Sequence, residues 1–304
     1  MGIHLRGNLR GYEEVETPKK LMLCHGDFEG DEVAIFESEE MRHNLLRWYD
    51  HWLKGNDTGI MDEPAVNVFV RGQERYRREN EWPVARTEYT KLYLSGARSG
   101  AVVSLNDGGL SWEAPTEADA SFTYHYPDPD WTGFSGVGTA VMERGMVNPC
   151  KKILTFTTPP FEKDTDVIGN IVLVLYAASD QMDTEFLCRI WDQLPDEMQM
   201  PGMPPAGRIL TRGWLKASHA ATKDEALSLP YRPYYRHDAP QPIEPGKVYK
   251  YEIEIWGTSN RFLKGHRLRL ELANGDSNAL DFGGHYYGLK VGSDTIYFDQ
   301  ERPS

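Results

Sequence analysis

Two periodicities divide this chain. Over residues 38–54, SEEMRHNLLRWYDHWLK, apolar side chains recur at Met41, Leu45, Leu46, Trp48, Tyr49, Trp52 and Leu53. Steps of three and four residues bring such positions together on the turns of an α-helix. Ser38 is placed to cap its N-terminus, and Glu39 and Glu40 fall where the helix dipole favours anions. Lys54 and then Gly55 supply a cationic last turn and a C-cap. The Trp/Leu face reads as core packing rather than as a platform for a ligand. Upstream, KKLMLC after Pro18 reads as a short buried strand, so residues 1–55 read strand, turn, helix.

NDTGIMDEP, with its Gly, Asp and Pro, reads as a linker, and beyond it the period changes to two. AVNVFVRG, TKLYLSG, KKILTFTTPP, GNIVLVLYAASD, TEFLCRIWDQL, RILTRGWLKA, KVYKYEIEIWGTS, HRLRLELANGD and DTIYFDQ are strand-length runs rich in Val, Ile, Leu, Tyr and Thr. Turn residues separate them and no long helical pattern intervenes. This texture predicts a mostly β chain, an antiparallel sandwich such as a jelly roll. YEIEIW and RLRLEL alternate strictly, which predicts one face in the core and one in water for each. The expected division is therefore 1–55 and 56–304.

Charge removes one class of partner. The 304 residues carry 33 basic and 46 acidic side chains, a net charge of −13, with no clustered Lys/Arg stripe. Such a chain repels phosphate backbones, so nucleic acid is not an expected partner. No apolar run approaches the ~20 residues of a membrane span, and the N-terminus lacks a signal pattern. No membrane association is expected, and the cytoplasm is the default setting. Cys24, Cys150 and Cys188 are far apart and odd in number, which fits free thiols better than a disulfide framework or a zinc site.

The candidate chemistry begins at LMLCHGDFEG, where a strand runs into His25 in a Gly/Asp turn ahead of the helix. A general base can stand there. Cys24 and His25 would not form a dyad, because adjacent strand residues point to opposite faces. Asp27 fits a turn aspartate bonding the local backbone. TGFSGVGT presents Ser135, but the GxSxG frame fails at Val137 and neither a strong strand nor a helix flanks it, so it reads as a glycine-rich loop. His237, after RPYYR, and His285, beside Tyr286 and Tyr287, lie in aromatic-rich loops. No HxH, HExxH or carboxylate cluster appears, so no metal and no cofactor is expected. FEKDTD and NGDSN could suit calcium, though both read first as solvated turns.

Longer phrases carry a resemblance. LRWYDHWLKGNDTGIMDEPAVNVFVRG resembles the hinge between the catalytic and C-terminal domains of X-prolyl dipeptidyl aminopeptidases and cocaine-esterase-like (CocE/NonD) hydrolases. ENEWPVARTEYTKLYLS is similar to the first strands of their C-terminal domain. YHYPDPDW, ILTFTTPPFEKDTDVIGNIVLVLYAASDQMDTEF and NRFLKGHRLRLEL are similar to its later signatures. The resemblance implies a galactose-binding-like jelly roll following an α/β-hydrolase domain. It implies hydrolysis of esters or X-prolyl amides by a Ser-His-Asp triad, with a small ester or peptide as the substrate of the parent enzyme. By the same resemblance the triad histidine follows the last hydrolase strand, in the turn before the RWYDHWLKG helix, and His25 is that turn's histidine. Relatives with a GPWxH pattern would instead carry it near Phe28, where this chain has none.

The family's nucleophile elbow, GxSYxG, has no counterpart here, and the chain stops at DQERPS, short of an expected closing strand. The expectation is a C-terminal domain whose nucleophile domain is absent from this chain. The alternative is a non-catalytic jelly-roll module that binds carbohydrate or a protein partner. Residues 1–55 favour the first, since a dedicated binding module has no use for a hydrolase's last strand and helix. The helix over 38–54 should then leave an apolar patch that a second copy or a partner chain would cover.

Overall fold

A computed structural model describes residues 4–24, 38–104, 106–126, 154–200, 205–274 and 291–304. The chain divides into two compact units, the first comprising Met1–Glu88, Asp166–Gly169 and Gly257–Arg261, the second the remainder.

The first unit holds α1 (Leu5–Glu14), β1 (Leu21–Leu23), α2 (Glu39–Lys54), β2 (Val66–Val70) and β3 (Arg75–Glu79). Its three strands lie in the order β1-β2-β3. β1 runs parallel to β2, with Leu21 opposite Val66, and β2 runs antiparallel to β3, with Phe69 opposite Tyr76. The alternation of VNVFV buries Val66, Val68 and Val70 on one face, against Leu9, Leu21, Trp82 and Val84. AVNVFVRG is thus a strand, as expected, and its partners are β1 and β3. Helix α1 was not anticipated. Gly7 and Gly11 weaken its propensity and no side chain caps it. It forms because Leu9 is buried in that core, with Leu5 and Tyr12 packed beside it.

The second unit is mostly β, of sandwich or barrel type. Its strands are β4 (Tyr93–Arg98), β5 (Gly108–Ser111), β6 (Ser121–Tyr126), β7 (Leu154–Thr157), β8 (Thr165–Ser179), β9 (Glu185–Gln193), β10 (Gly207–Lys216), β11 (Tyr249–Phe262), β12 (Arg267–Ala273) and β13 (Gly292–Tyr297). They make one sheet in the order β4-β5-β7-β12-β9-β10-β11-β8-β13-β6. β5 and β7 are parallel, and the other pairings with a described register are antiparallel. Residues 166–169 of β8 and 257–261 of β11 group with the first unit.

RLRLEL corrects one expectation. Every residue of β12 is buried, because the strand lies inside the sheet between β7 and β9 and both of its faces are covered. Its charged side chains are ion-paired within the protein. Arg269, fully buried, donates from Nε to Glu271 Oε1 at 2.9 Å and from Nη1 to the Val103 carbonyl at 2.7 Å. Arg189, opposite Glu271 on β9, reaches Oε2 at 3.7 Å. Arg267 donates to Asp196 at 2.5 Å and to the Thr158 carbonyl at 2.9 Å. Alternation marked two chemically distinct faces, and here the charged one faces other charges rather than water.

Candidate functional site

His25 and Asp27 lie outside the described residues, as do Ser135 and His285. The elements on either side of residues 25–37 are described. β1 ends at Leu23, and the next residue, Cys24, is half-buried beside the Tyr76 hydroxyl. Burial pushes the Cys24 thiol above its usual range and the Tyr76 phenol likewise. A raised thiol pKa disfavours the thiolate and so argues against Cys24 as a nucleophile.

After residue 37, Ser38 Oγ accepts from the Met41 amide at 3.3 Å and opens α2. Gly55, at φ 72°, closes the helix, its N–H on the His51 carbonyl at 3.1 Å. Arg47 anchors the helix by donating to the Thr58 carbonyl at 3.1 Å and to Glu63 Oε1 at 2.7 Å. The same ion pair holds the Glu63 carboxyl below its ordinary value. Lys20, just before β1, donates to the Glu63 carbonyl. Strand β1, which ends two residues before His25, and helix α2 are therefore fastened to one segment, residues 58–63. The fastening is polar, and no residue of α2 is buried. Leu46 is 63% exposed, Leu53 77% and Trp52 46%. The face expected to be core packing is open, and an apolar patch stands where one was expected.

Two acids of FEKDTD are held by protein donors. Asp166 takes Arg77 Nη2 at 2.8 Å and Arg261 Nε at 2.6 Å, and these guanidiniums lower its pKa. Asp164 accepts the Lys264 amide at 3.0 Å. Among the described residues no group of three or more His, Cys, Asp or Glu side chains is placed to hold a metal ion.

A buried carboxyl in the second unit went unnoticed in the sequence. β13 alternates, placing Gly292, Asp294 and Ile296 inward. Its register sets Asp294 opposite Tyr124 on β6 and Ser179 on β8. Asp294, with no exposed surface, accepts from Tyr124 Oη at 2.9 Å and from Thr184 Oγ1 at 2.8 Å through Oδ2. Thr184 in turn accepts from Asn274 Nδ2 at 2.6 Å. Gly292 leaves room for Tyr126, whose hydroxyl would lie 2.6 Å from a Cβ there. Desolvation dominates the environment of Asp294 and lifts its pKa to about 6, against the lowering effect of the surrounding hydroxyls. The signal was legible in DTIYF, where an aspartate shares the phase of Ile296 and Phe298. Such a sealed carboxyl organises the strand ends around it.

His237 is placed beside His219, with their Nδ1 atoms 2.7 Å apart. Eighteen residues separate them, so no spacing motif could have announced the pair.

Comparison with known proteins gives this architecture a family. The model of the X-Pro dipeptidyl-peptidase C-terminal non-catalytic domain matches residues 58–304. A candidate serine esterase of Mycobacterium bovis is 29% identical over 248 residues, covering 77% of this chain and 36% of that protein. Cocaine esterase of Rhodococcus sp. (strain MB1 Bresler) is 27% identical over 250 residues, covering 80% of this chain and 39% of the esterase. The chain thus spans well under half the length of these relatives. In fold it is similar to a CocE/NonD family hydrolase from Staphylococcus aureus, with a TM-score of 0.74 at 18% identity over 98% of this chain and 50% of that one. With most of its length matched, the chain belongs to the family of C-terminal non-catalytic domains found in X-Pro dipeptidyl-peptidase and CocE/NonD-type hydrolases.

Proposed function

We propose that this chain works as the C-terminal part of a serine hydrolase that cleaves ester or X-prolyl amide bonds of small substrates. The serine comes from residues outside this sequence, and His25 acts as general base. The observation that carries the reading is the order of parts: the matched domain, residues 58–304, is preceded by strand β1, which ends two residues before His25, and by a capped helix. In this reading residues 1–55 are the last strand and helix of an α/β-hydrolase domain, and 56–304 form a galactose-binding-like jelly roll that shapes the acyl pocket. His25 would take the proton from the serine hydroxyl as it attacks the carbonyl, then return it to the leaving alcohol or amine. The open apolar side of α2 is where the rest of that domain, or a second copy of this chain, would pack. A cytoplasmic setting belongs to the same proposal and is supported by the free thiols of Cys24 and Cys188.

The test is fluorophosphonate labelling of the purified chain, read by intact mass, with p-nitrophenyl acetate turnover alongside. The expected result is neither adduct nor turnover. A stoichiometric adduct abolished by Ser135→Ala would place the nucleophile within this chain and overturn the reading. In the protein that joins this chain to its serine, His25→Ala should lower kcat by on the order of 10⁴- to 10⁶-fold. An unchanged kcat would remove His25 from the mechanism.

A further inference from the structure

Helix α2 is fastened on one side, where Arg47 donates to Thr58 and Glu63, and carries an apolar stripe that stays open. Leu45, Leu46, Tyr49, Trp52 and Leu53 make up the stripe, with exposures from 37% at Leu45 to 77% at Leu53. Their places on the helix have a symmetry. At ~100° per residue, Tyr49 lies midway in the stripe both along the axis and around it. Leu45 and Trp52 stand two turns apart on one flank, and Leu46 and Leu53 two turns apart on the other. Trp52 is a braced anchor, its ring centroid 5.8 Å from that of Trp48 and 5.0 Å from that of His51, which it meets edge-on.

A stripe so arranged is complementary to its own reverse. Where two such helices cross antiparallel at Tyr49, Leu45 meets Trp52 of the other copy, Leu46 meets its Leu53, and the two tyrosines meet each other. Every contact off the axis then occurs twice, as an isologous two-fold interface requires. The antiparallel sense also opposes the two helix dipoles. Parallel packing would align them and set Glu39 and Glu40 beside their own copies.

The area is sufficient. With roughly 100 Å² left open on each of the five side chains, the stripe offers ~500 Å², near the top of the range for the largest apolar patch on a monomer. Covering most of it on two copies removes ~800 Å² of mostly apolar surface. Interfaces are about 60% apolar, so this corresponds to ~1,300 Å² in all, inside the range of about 1,200–2,000 Å² that stable complexes bury.

We propose that the open side of α2 is a self-association surface on which a second copy of this chain packs antiparallel about Tyr49. The proposal rests on the reading above only in taking that side of α2 to be covered, and it names the cover. The net charge of −13 on each copy opposes the approach, so added salt should strengthen the dimer.

The test is sedimentation of the whole chain from about 1 to 100 µM, at low and at moderate salt. The expected result is a reversible monomer–dimer equilibrium with the dimer predominating at the upper end. Leu46→Glu and Leu53→Glu should each weaken it at least about 10-fold; both positions are exposed, and circular dichroism establishes that the variants are folded. With Cys24 and Cys150 changed to serine, Tyr49→Cys should form an intermolecular disulfide under mild oxidation, and Leu46→Glu should abolish that cross-link. A chain that stays monomeric at 100 µM would overturn the proposal and leave the rest of a hydrolase domain as the cover. A dimer indifferent to both glutamates would place the contact elsewhere and overturn it too, and a sensitive dimer that Tyr49→Cys fails to link would refute the antiparallel register. Fluorophosphonate labelling tests the hydrolase reading independently, and its failure would leave the dimer standing.

Discussion

Replacing Asp294 with asparagine should stabilise the protein at neutral pH and lose that advantage in acid. A carboxyl held at about 6 in the folded chain, against an ordinary value of 3.8, binds its proton more tightly folded than unfolded. Its neutral form therefore favours folding fully below about pH 3.8, and the benefit is lost as pH rises through about 6. Above that window, burying the charge costs about 3 kcal/mol, since each pH unit of difference is worth 1.36 kcal/mol. The asparagine side chain would keep an acceptor for Tyr124 and Thr184 and turn an amide towards the hydroxyls of Ser179 and Tyr126, which can accept. Other carboxyls, Asp166 and Glu63 among them, are lowered and destabilise the fold in acid, so the informative quantity is the difference between variant and parent. Urea melts at half-unit steps from pH 4 to 8 should give a difference near zero at the acid end. It should rise towards about 3 kcal/mol by pH 7.5, or roughly 6 °C or more in Tm. A difference that is flat across this range would refute the reasoning, and so would a variant that is less stable than its parent at pH 7.5.

Glu271→Ala should cost about 3–5 kcal/mol in urea denaturation, because it leaves the fully buried Arg269 without its carboxylate. Replacing both partners with apolar residues should recover most of that loss, and a single-variant cost below about 1 kcal/mol would show that the pair is dispensable. Gly72→Ala should open the contact between residue 71 and the 259–261 segment, since its Cβ would sit 2.1 Å from the Arg261 carbonyl at a φ of 78°. Hydrogen exchange checks this directly: the Arg261 amide, now on the Arg71 carbonyl at 2.7 Å, should lose protection.

What the sequence revealed and what it hid follow one physical division. Ser38 and Gly55 bracket α2 as read, because a cap satisfies orphan backbone groups within a few residues and needs no distant partner. The strand runs were legible for the same local reason, through period and β-branched content. Pairing was not: AVNVFVRG carries no mark of lying beside β1, and nothing in RLRLEL distinguishes a polar face in water from one sealed against Arg189 and Val103. Helix α1 escaped because its glycines argue against it and only the tertiary burial of Leu9 argues for it. The His219–His237 pair depends on a fold-back around Lys223 and Tyr235, a contact that no sequence spacing encodes.

Helix α2 shows what the described part of the chain supplies for itself and what it does not. Its 16 residues are close to the length at which an isolated helix is only marginal in water, and it buries none of its own side chains. The caps contribute about 1 kcal/mol each, and the half-exposed Arg47–Glu63 pair contributes less than that after screening. Those terms can hold a helix in register, fastened to residues 58–63, but they cannot make it rigid. A covering surface could, since fully burying a side chain such as Leu46 or Leu53 is worth about 1.5–3 kcal/mol. If a hydrolase domain lies against that face, the covering term is several times the polar ones. The precision with which residue 25 is held would then be set by the partner surface rather than by this chain. Catalysis tolerates errors of about 0.5 Å in a base, so if His25 is the base, as proposed, it should reach working order only when the apolar side of α2 is covered.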